Sequence, residues 1–130
     1  MPNMFVHVEL NTEDLAKARK FYKGLFKWKL TDMKMPGGKY TMIDTGSRQT
    51  GGGMQAKPVP EAPTSWLPYV EVDDVKKSIA KAKKLGANVA VEYMPIPGMG
   101  AFGIFTDPTG ASLGVWERAK KPARRAAKRK

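Results

Sequence analysis

The chain of 130 residues has no cysteine and one histidine, His7. Without cysteine there are no disulfides, no thiolate metal site and no thiol nucleophile. The absence also fits a reducing cytoplasm. A serine triad in its usual form is excluded, because His7 would have to be its base and no serine lies on a nucleophile elbow. No apolar stretch approaches the ~20 residues of a bilayer-spanning helix, so a membrane protein is not expected. The opening MPNMFVHVEL has no basic segment followed by an apolar one and a small-residue cleavage site, so no secretory signal is expected either. The glycine clusters PGG and GGG lack the spacing of a dinucleotide or phosphate loop.

The charge is plentiful but unevenly placed. The net charge is +11, and eight of the 23 basic residues lie between Arg118 and Lys130, where there is no acidic residue. The rest carries fifteen basic and twelve acidic residues, so the excess belongs to a tail, residues 119–130, and says little about the folded part. With nothing apolar larger than alanine, AKKPARRAAKRK cannot join a core. It reads as a solvated tail or as a nonspecific contact for nucleic acid or other anions, the latter falling steeply with salt.

The body is written twice. FVHVEL reads as a strand. Asn11 or Thr12 offers a helix N-cap, and Glu13 and Asp14 suit the first turn. Leu15, Ala18, Tyr22 and Leu25 follow at helical spacing. Strands are expected near KWKLTDM, KYTMID and GGGMQ, with a turn at 36–38. After a proline-rich linker, 58–65, the order recurs. WLPYVEV is a strand, Asp73 an N-cap, and Val75, Ile79, Ala82 and Leu85 one face of a helix stopped by Gly86. NVAVEY, AFGIFT and ASLGVW are strands, with DPTG as a type I turn. Asp14 falls on Asp74, Leu15 on Val75 and Leu25 on Leu85, an offset of 60. A repeat of this kind is a statement about fold. The expectation is an α+β chain of two tandem βαβββ modules, about 1–57 and 66–118, forming one domain over 1–118.

HVELNTEDLAKARKFYKGLFKW, the GGGM strand, PYVEVDDVKKSIAKAKKLGANV and IPGMGAFGIFTDPTGASLGVW, in this order and spacing, resemble the vicinal oxygen chelate superfamily of glyoxalase I, extradiol dioxygenases and bleomycin-resistance proteins. The resemblance covers roughly residues 4–117. It is closest to the glyoxalase-like branch that includes mycobacterial culture-filtrate antigens. It implies a curved sheet around a cleft, small-molecule ligands and, commonly, homodimers. In the metal-dependent members, ligands come from both modules. The first lies on the opening strand, seven residues before the helix-start aspartate, and His7 matches it. Its second-module counterpart is Leu67 and the last position is Gly114, neither of which can ligate. The remaining one falls near Gly53 or Met54, beside Gln55.

Composition points the same way. A divalent ion on rigid strands usually needs three or more N or O donors. One histidine and no cysteine leave carboxylates and amides to supply the others. Alternation puts His7 and Glu9 on one face of the opening strand, and on the second-module strand Tyr69 and Glu71 share a face with Leu67. A site of His7, Glu9, Glu71 and Gln55 can be drawn, but it is not the superfamily's site. The expectation is no metal and no cofactor, with His7 on the cleft wall and ligand contacts from His7, Met54, Tyr69, Phe102 and Trp116. The first reading is a cytoplasmic, homodimeric small-molecule-binding protein. The second is a lyase, isomerase or dioxygenase-like enzyme using His7, Glu9 or Glu71 as acid–base groups, or a nonstandard metal. The third is an accessory protein whose tail contacts nucleic acid.

Overall fold

A computed structural model describes residues 2–35, 38–47 and 50–119. The elements run β1 (Phe5–Thr12), α1 (Leu15–Leu25), β2 (Lys29–Met35), β3 (Gly38–Asp44), β4 (Gly51–Ala56), β5 (Ser65–Glu71), α2 (Val75–Lys84), β6 (Asn88–Ile96), β7 (Gly100–Thr106) and β8 (Ser112–Arg118). A βαβββ order therefore occurs twice, and the fold is α+β. By its contacts the chain divides into one compact unit, Met4–Val70, and another that takes in Asn3 and the chain from Glu71 on. Of the basic tail, 119–130, all but Ala119 lies outside the described residues.

Both helices start on an aspartate. Asp14 Oδ1 accepts from the Lys17 amide at 3.0 Å, and Asp74 Oδ1 from the Lys77 amide at 3.0 Å. Each carboxylate satisfies an amide that the first turn leaves without a partner. The caps expected at Asn11 or Thr12 and at Asp73 fall too early. β1 runs through Thr12, whose hydroxyl instead accepts from the Asp14 amide at 3.2 Å. The two true caps keep the offset of the repeat. α2 closes at Gly86, with φ of 102°. The Gly86 amide donates to Lys83 O and the Ala87 amide to Ala82 O, pairing carbonyls that the last turn leaves open.

In the Met4–Val70 unit the strand order is β2-β3-β4-β1-β5. β1 lies parallel to β4 and antiparallel to β5, with His7 opposite both Gly51 and Tyr69. Strand alternation sorts β1 into two faces. Leu10 turns toward α1 and forms a core with Ile43 and Met54, covered by Leu15, Ala18, Tyr22, Trp28 and Leu30. On the same side, Arg19 of α1 donates to Thr41 Oγ1 at 2.8 Å and pairs with Asp32. Hydrogen bonds from Thr41 and Arg19 hold the Asp32 carboxyl below its ordinary range. His7 and Glu9 lie on the opposite face.

In the other unit β8, β7 and β6 are adjacent, in that order. Val75 and Ile79 of α2 pack against Val115, with Val72, Val89 and Phe105 around them. Glu117 Oε1 accepts from the Val75 amide at 2.7 Å, a second anchor for the start of α2. The DPTG turn closes as expected, with the Gly110 amide donating to Asp107 O at 3.0 Å.

Candidate ligand-binding site

Glu9 is buried, only 6% exposed, on the face of β1 that turns away from α1. Burying a carboxylate is costly unless it is hydrogen-bonded. Three donors meet it. Tyr40 Oη donates to Oε1 at 2.9 Å, Tyr69 Oη to Oε2 at 3.1 Å, and Asn11 Nδ2 to Oε2 at 3.1 Å. Gln55 Nε2 in turn donates to Asn11 Oδ1 at 2.9 Å. The network reaches His7, whose Nε2 lies 2.7 Å from Tyr40 Oη. The imidazole also stands edge-on to the Tyr69 ring, with centroids 5.7 Å apart.

Burial sets the proton affinities. It raises the Glu9 carboxyl above its ordinary range, and the bonds from Asn11, Tyr40 and Tyr69 oppose this only in part. It lowers the His7 imidazole. Both phenols are pushed well above their ordinary value, first by burial and then by the Glu9 charge, so they remain protonated donors.

Glycine makes the arrangement possible. Tyr40 sits on β3 and must lie across β4 to reach Glu9 on β1. It crosses at Gly53, where a Cβ would stand 2.1 Å from the Tyr40 hydroxyl. Gly51, opposite His7, is exposed, and a Cβ there would come within 3.9 Å of His7 Nδ1. Of the three consecutive glycines, Gly53 is the one this face requires.

The expected residues divide. His7 and Tyr69 come together as anticipated. Met54 does not join them. It is the register partner of Leu10 and fully buried in the core under α1, because alternation turns it to the face opposite His7. Tyr40 and Asn11, not anticipated, hold Glu9. The signal for Tyr40 was Gly53, since glycine inside a strand marks a close approach by another group. Glu71 lies in the other unit, where Arg118 pairs with it at 2.9 Å. Phe102 and Trp116 are cross-strand partners there, both half-buried. A Cβ at Gly100 would lie 2.7 Å from the Trp116 ring.

The donor set does not fit the divalent ion of the vicinal oxygen chelate proteins. Glu9 already accepts three hydrogen bonds, and its partner across β5 is Leu67. Among the described residues no group of three or more His, Cys, Asp or Glu side chains is placed to hold a metal.

Two surface depressions lie on the opposite face of the sheet, the one that packs on α1. One, about 570 Å3, lies between α1 and β2 and is lined by Arg19, Lys20, Lys23 and Lys39 over Leu15 and Leu30. The other, about 380 Å3, lies between Trp28 and Trp66 over Gly51 and Gly52.

Comparison with known proteins places the chain. Residues 4–115 match the family model of the Glyoxalase/Bleomycin resistance protein/Dioxygenase superfamily. The chain is 35% identical over 114 residues to "Putative glyoxylase CFP32" of Mycobacterium tuberculosis, covering 85% of this chain and 44% of that protein. It is 30% identical over 127 residues to the anthracycline biosynthesis protein DnrV of Streptomyces peucetius, with 85% and 45% covered. The chain thus spans less than half the length of these relatives. Among solved structures, a hypothetical protein of Bacillus halodurans superposes with a TM-score of 0.70 at 15% identity, over 94% of this chain and 99% of that one. Methylmalonyl-CoA epimerase from Mycobacterium tuberculosis does so with 0.67 at 15% identity, over 95% and 91%. Likeness at such identity speaks to the fold alone, but with the family match over nearly the whole described body, the chain belongs to the Glyoxalase/Bleomycin resistance protein/Dioxygenase superfamily.

Proposed function

We propose that this chain is a small-molecule-binding protein of glyoxalase/bleomycin-resistance type that works without a divalent metal. His7 and Tyr69 would meet the ligand on the β1-β3-β4-β5 face, with Tyr40 holding His7 and Glu9 in place. The observation that carries this reading is the buried Glu9, held by two phenols and an amide and linked through Tyr40 to a half-buried histidine. A few fixed polar groups in apolar surroundings are what pre-formed ligand sites contain. The Phe102–Trp116 pair, taken by itself, is a further aromatic surface for ligand. The functional domain is residues 1–118, with modules 1–57 and 66–118.

Homodimer formation draws support from apolar side chains at the C-terminal end of α1. Phe21, Leu25 and Phe26 are exposed there beside Trp66, a patch larger than scattered surface residues make. The lack of cysteine supports a cytoplasmic location. The tail's charge supports a weak nonspecific contact with nucleic acid or other anions.

A second reading has a specific observation behind it. Burial moves Glu9 up and His7 down, as in sites that run acid–base chemistry near neutral pH. An isomerase or lyase would then use this pair to move a proton beside a carbonyl. Glu71, neutralised by Arg118, has no part in it.

The test is a thermal-shift screen of small organic compounds, since a ligand that binds only the folded chain raises Tm. Compounds that raise Tm of the native chain should lose most of that effect in His7→Ala. Shifts that persist unchanged in His7→Ala overturn the reading. Elemental analysis should give well under one metal per chain. Solvent-deuterium incorporation into a bound ketone would favour the enzyme over the binding protein.

A further inference from the structure

The hydrogen bonds around Glu9 fix more than its position. Tyr40 has one hydroxyl proton, and that proton goes to Glu9 Oε1. Its oxygen can then only accept from His7, so the 2.7 Å contact is an Nε2–H donating to Tyr40. A neutral imidazole carries one proton, so Nδ1 is left as a bare lone pair. No described residue bonds Nδ1, and the Gly51 backbone beside it offers no side chain to cover it. The converse proton arrangement would need a hydrogen on Glu9 itself. With two phenol hydroxyls and the Asn11 amide donating to it, that carboxylate is satisfied in its ionised form and needs no hydrogen of its own.

We infer that this face selects ligands that donate a hydrogen bond to His7 Nδ1, so that it takes uncharged phenols, alcohols or amides and rejects carboxylates and phosphates. The inference rests on the proposed ligand face at His7 and adds the class of ligand it accepts. Tyr40 is a positioning residue: it acts through His7, by fixing the tautomer. Two effects exclude anions. The Nδ1 lone pair repels a carboxylate oxygen, and Glu9 supplies a nearby negative charge in a poorly screened setting. A ligand lacking the donor leaves the buried lone pair unpaired, which is costly. Burial also holds the imidazole neutral, which keeps it from pairing with an anion.

The chain's single histidine makes the test clean. With nitrogen-15 histidine, a long-range proton–nitrogen correlation reports the tautomer of His7 alone. At neutral pH the unliganded full chain should show the Nε2–H form, and Tyr40→Phe should show a mixture of tautomers. Because the first measurement uses the native chain, it does not depend on whether the variant folds. Three probes then differ in one group: p-cresol, p-methylanisole and p-toluate. p-Cresol should move the Nδ1 resonance with saturation and bind about tenfold more tightly than the other two, the effect of one hydrogen bond. An Nδ1–H form in the native chain overturns the inference and leaves the ligand face standing. So does p-toluate binding as tightly as p-cresol. If His7 has the expected tautomer but the probes perturb only Trp28 and Trp66, the ligand face itself is wrong, and the inference falls with it.

Discussion

Each repeat opens with a strand that runs into an aspartate-capped helix, yet the two helices and the two strands differ in what they bury. α2 encloses Val75 and Ile79 almost completely, whereas no residue of α1 is fully buried. On the strands the contrast is reversed. β1 carries His7 and Glu9 on the face away from its helix, while the positions 60 residues on are Leu67 and Tyr69. The first repeat thus carries most of a polar network, completed by Tyr69 of the second, over a loosely covered core, and the helix of the second repeat closes a tight core. Duplication of a scaffold lets one copy supply packing and the other chemistry, because the face that packs on the helix is separate from the face that carries the polar groups.

The sharpest way to break this contrast is to cut into both cores. Ile79→Ala should destabilise by about 3 kcal/mol, as expected for deletion of a fully buried branched side chain. Leu15→Ala on the half-buried face of α1 should cost about 1 kcal/mol. Urea unfolding of the two variants would decide, and equal losses would mean that α1 is packed as firmly as α2.

Gly53→Ala probes the network instead. The new methyl would collide with the Tyr40 hydroxyl and lift it from Glu9. Leaving a buried carboxylate short of a donor costs about 1–3 kcal/mol. The loss should appear in urea unfolding together with loss of the single Nε2–H tautomer of His7. A variant as stable as the native chain would show that Tyr40 moves aside without cost.

Dependence on pH separates the two titrating groups by sign. The folded Glu9 carboxyl holds its proton to higher pH than the unfolded one, so its contribution is present at low pH and lost as pH rises through the folded value. His7 acts in the opposite direction. Its folded pKa lies below the ordinary 6.5, so the unfolded chain takes up a proton first and stability falls as pH drops below that value. Glu9→Gln should therefore gain on the native chain as pH rises from 4 to 7, and His7→Gln should gain as pH falls from 7 to 5. A constant difference at all pH values for either variant would contradict the burial assigned to that group. The smallest expected effect is at the tail: deleting residues 119–130 should change folding stability by no more than about 0.5 kcal/mol.

The fold was legible in the sequence because repeat, caps and alternation are local signals that agree. The element order could be followed from FVHVEL to ASLGVW, and the offset of 60 pairs the two true caps, although each cap was expected one to three residues early. Faces were harder. Alternation correctly joined His7 to Glu9, but Met54 was expected on their face when its pairing with Leu10 sends it into the core. Tyr40 was missed for a different reason: its role depends on a reach across β4 to β1, which no periodicity encodes. The empty place at Gly53 was the one trace it left. Whether Glu71 was free or paired depended likewise on a contact with Arg118, 47 positions away in the sequence.

The most direct test of the account is to map where a ligand lands. Backbone amide shifts of the full chain should be followed during titration with p-cresol. Perturbations clustered at residues 7–9, 40–42, 51–53 and 67–69, with the His7 ring nitrogen moving in step, are the predicted result. Shifts confined to residues 71–119, or to the surface around Trp28 and Trp66, would contradict the assignment of the ligand face to the Glu9 network.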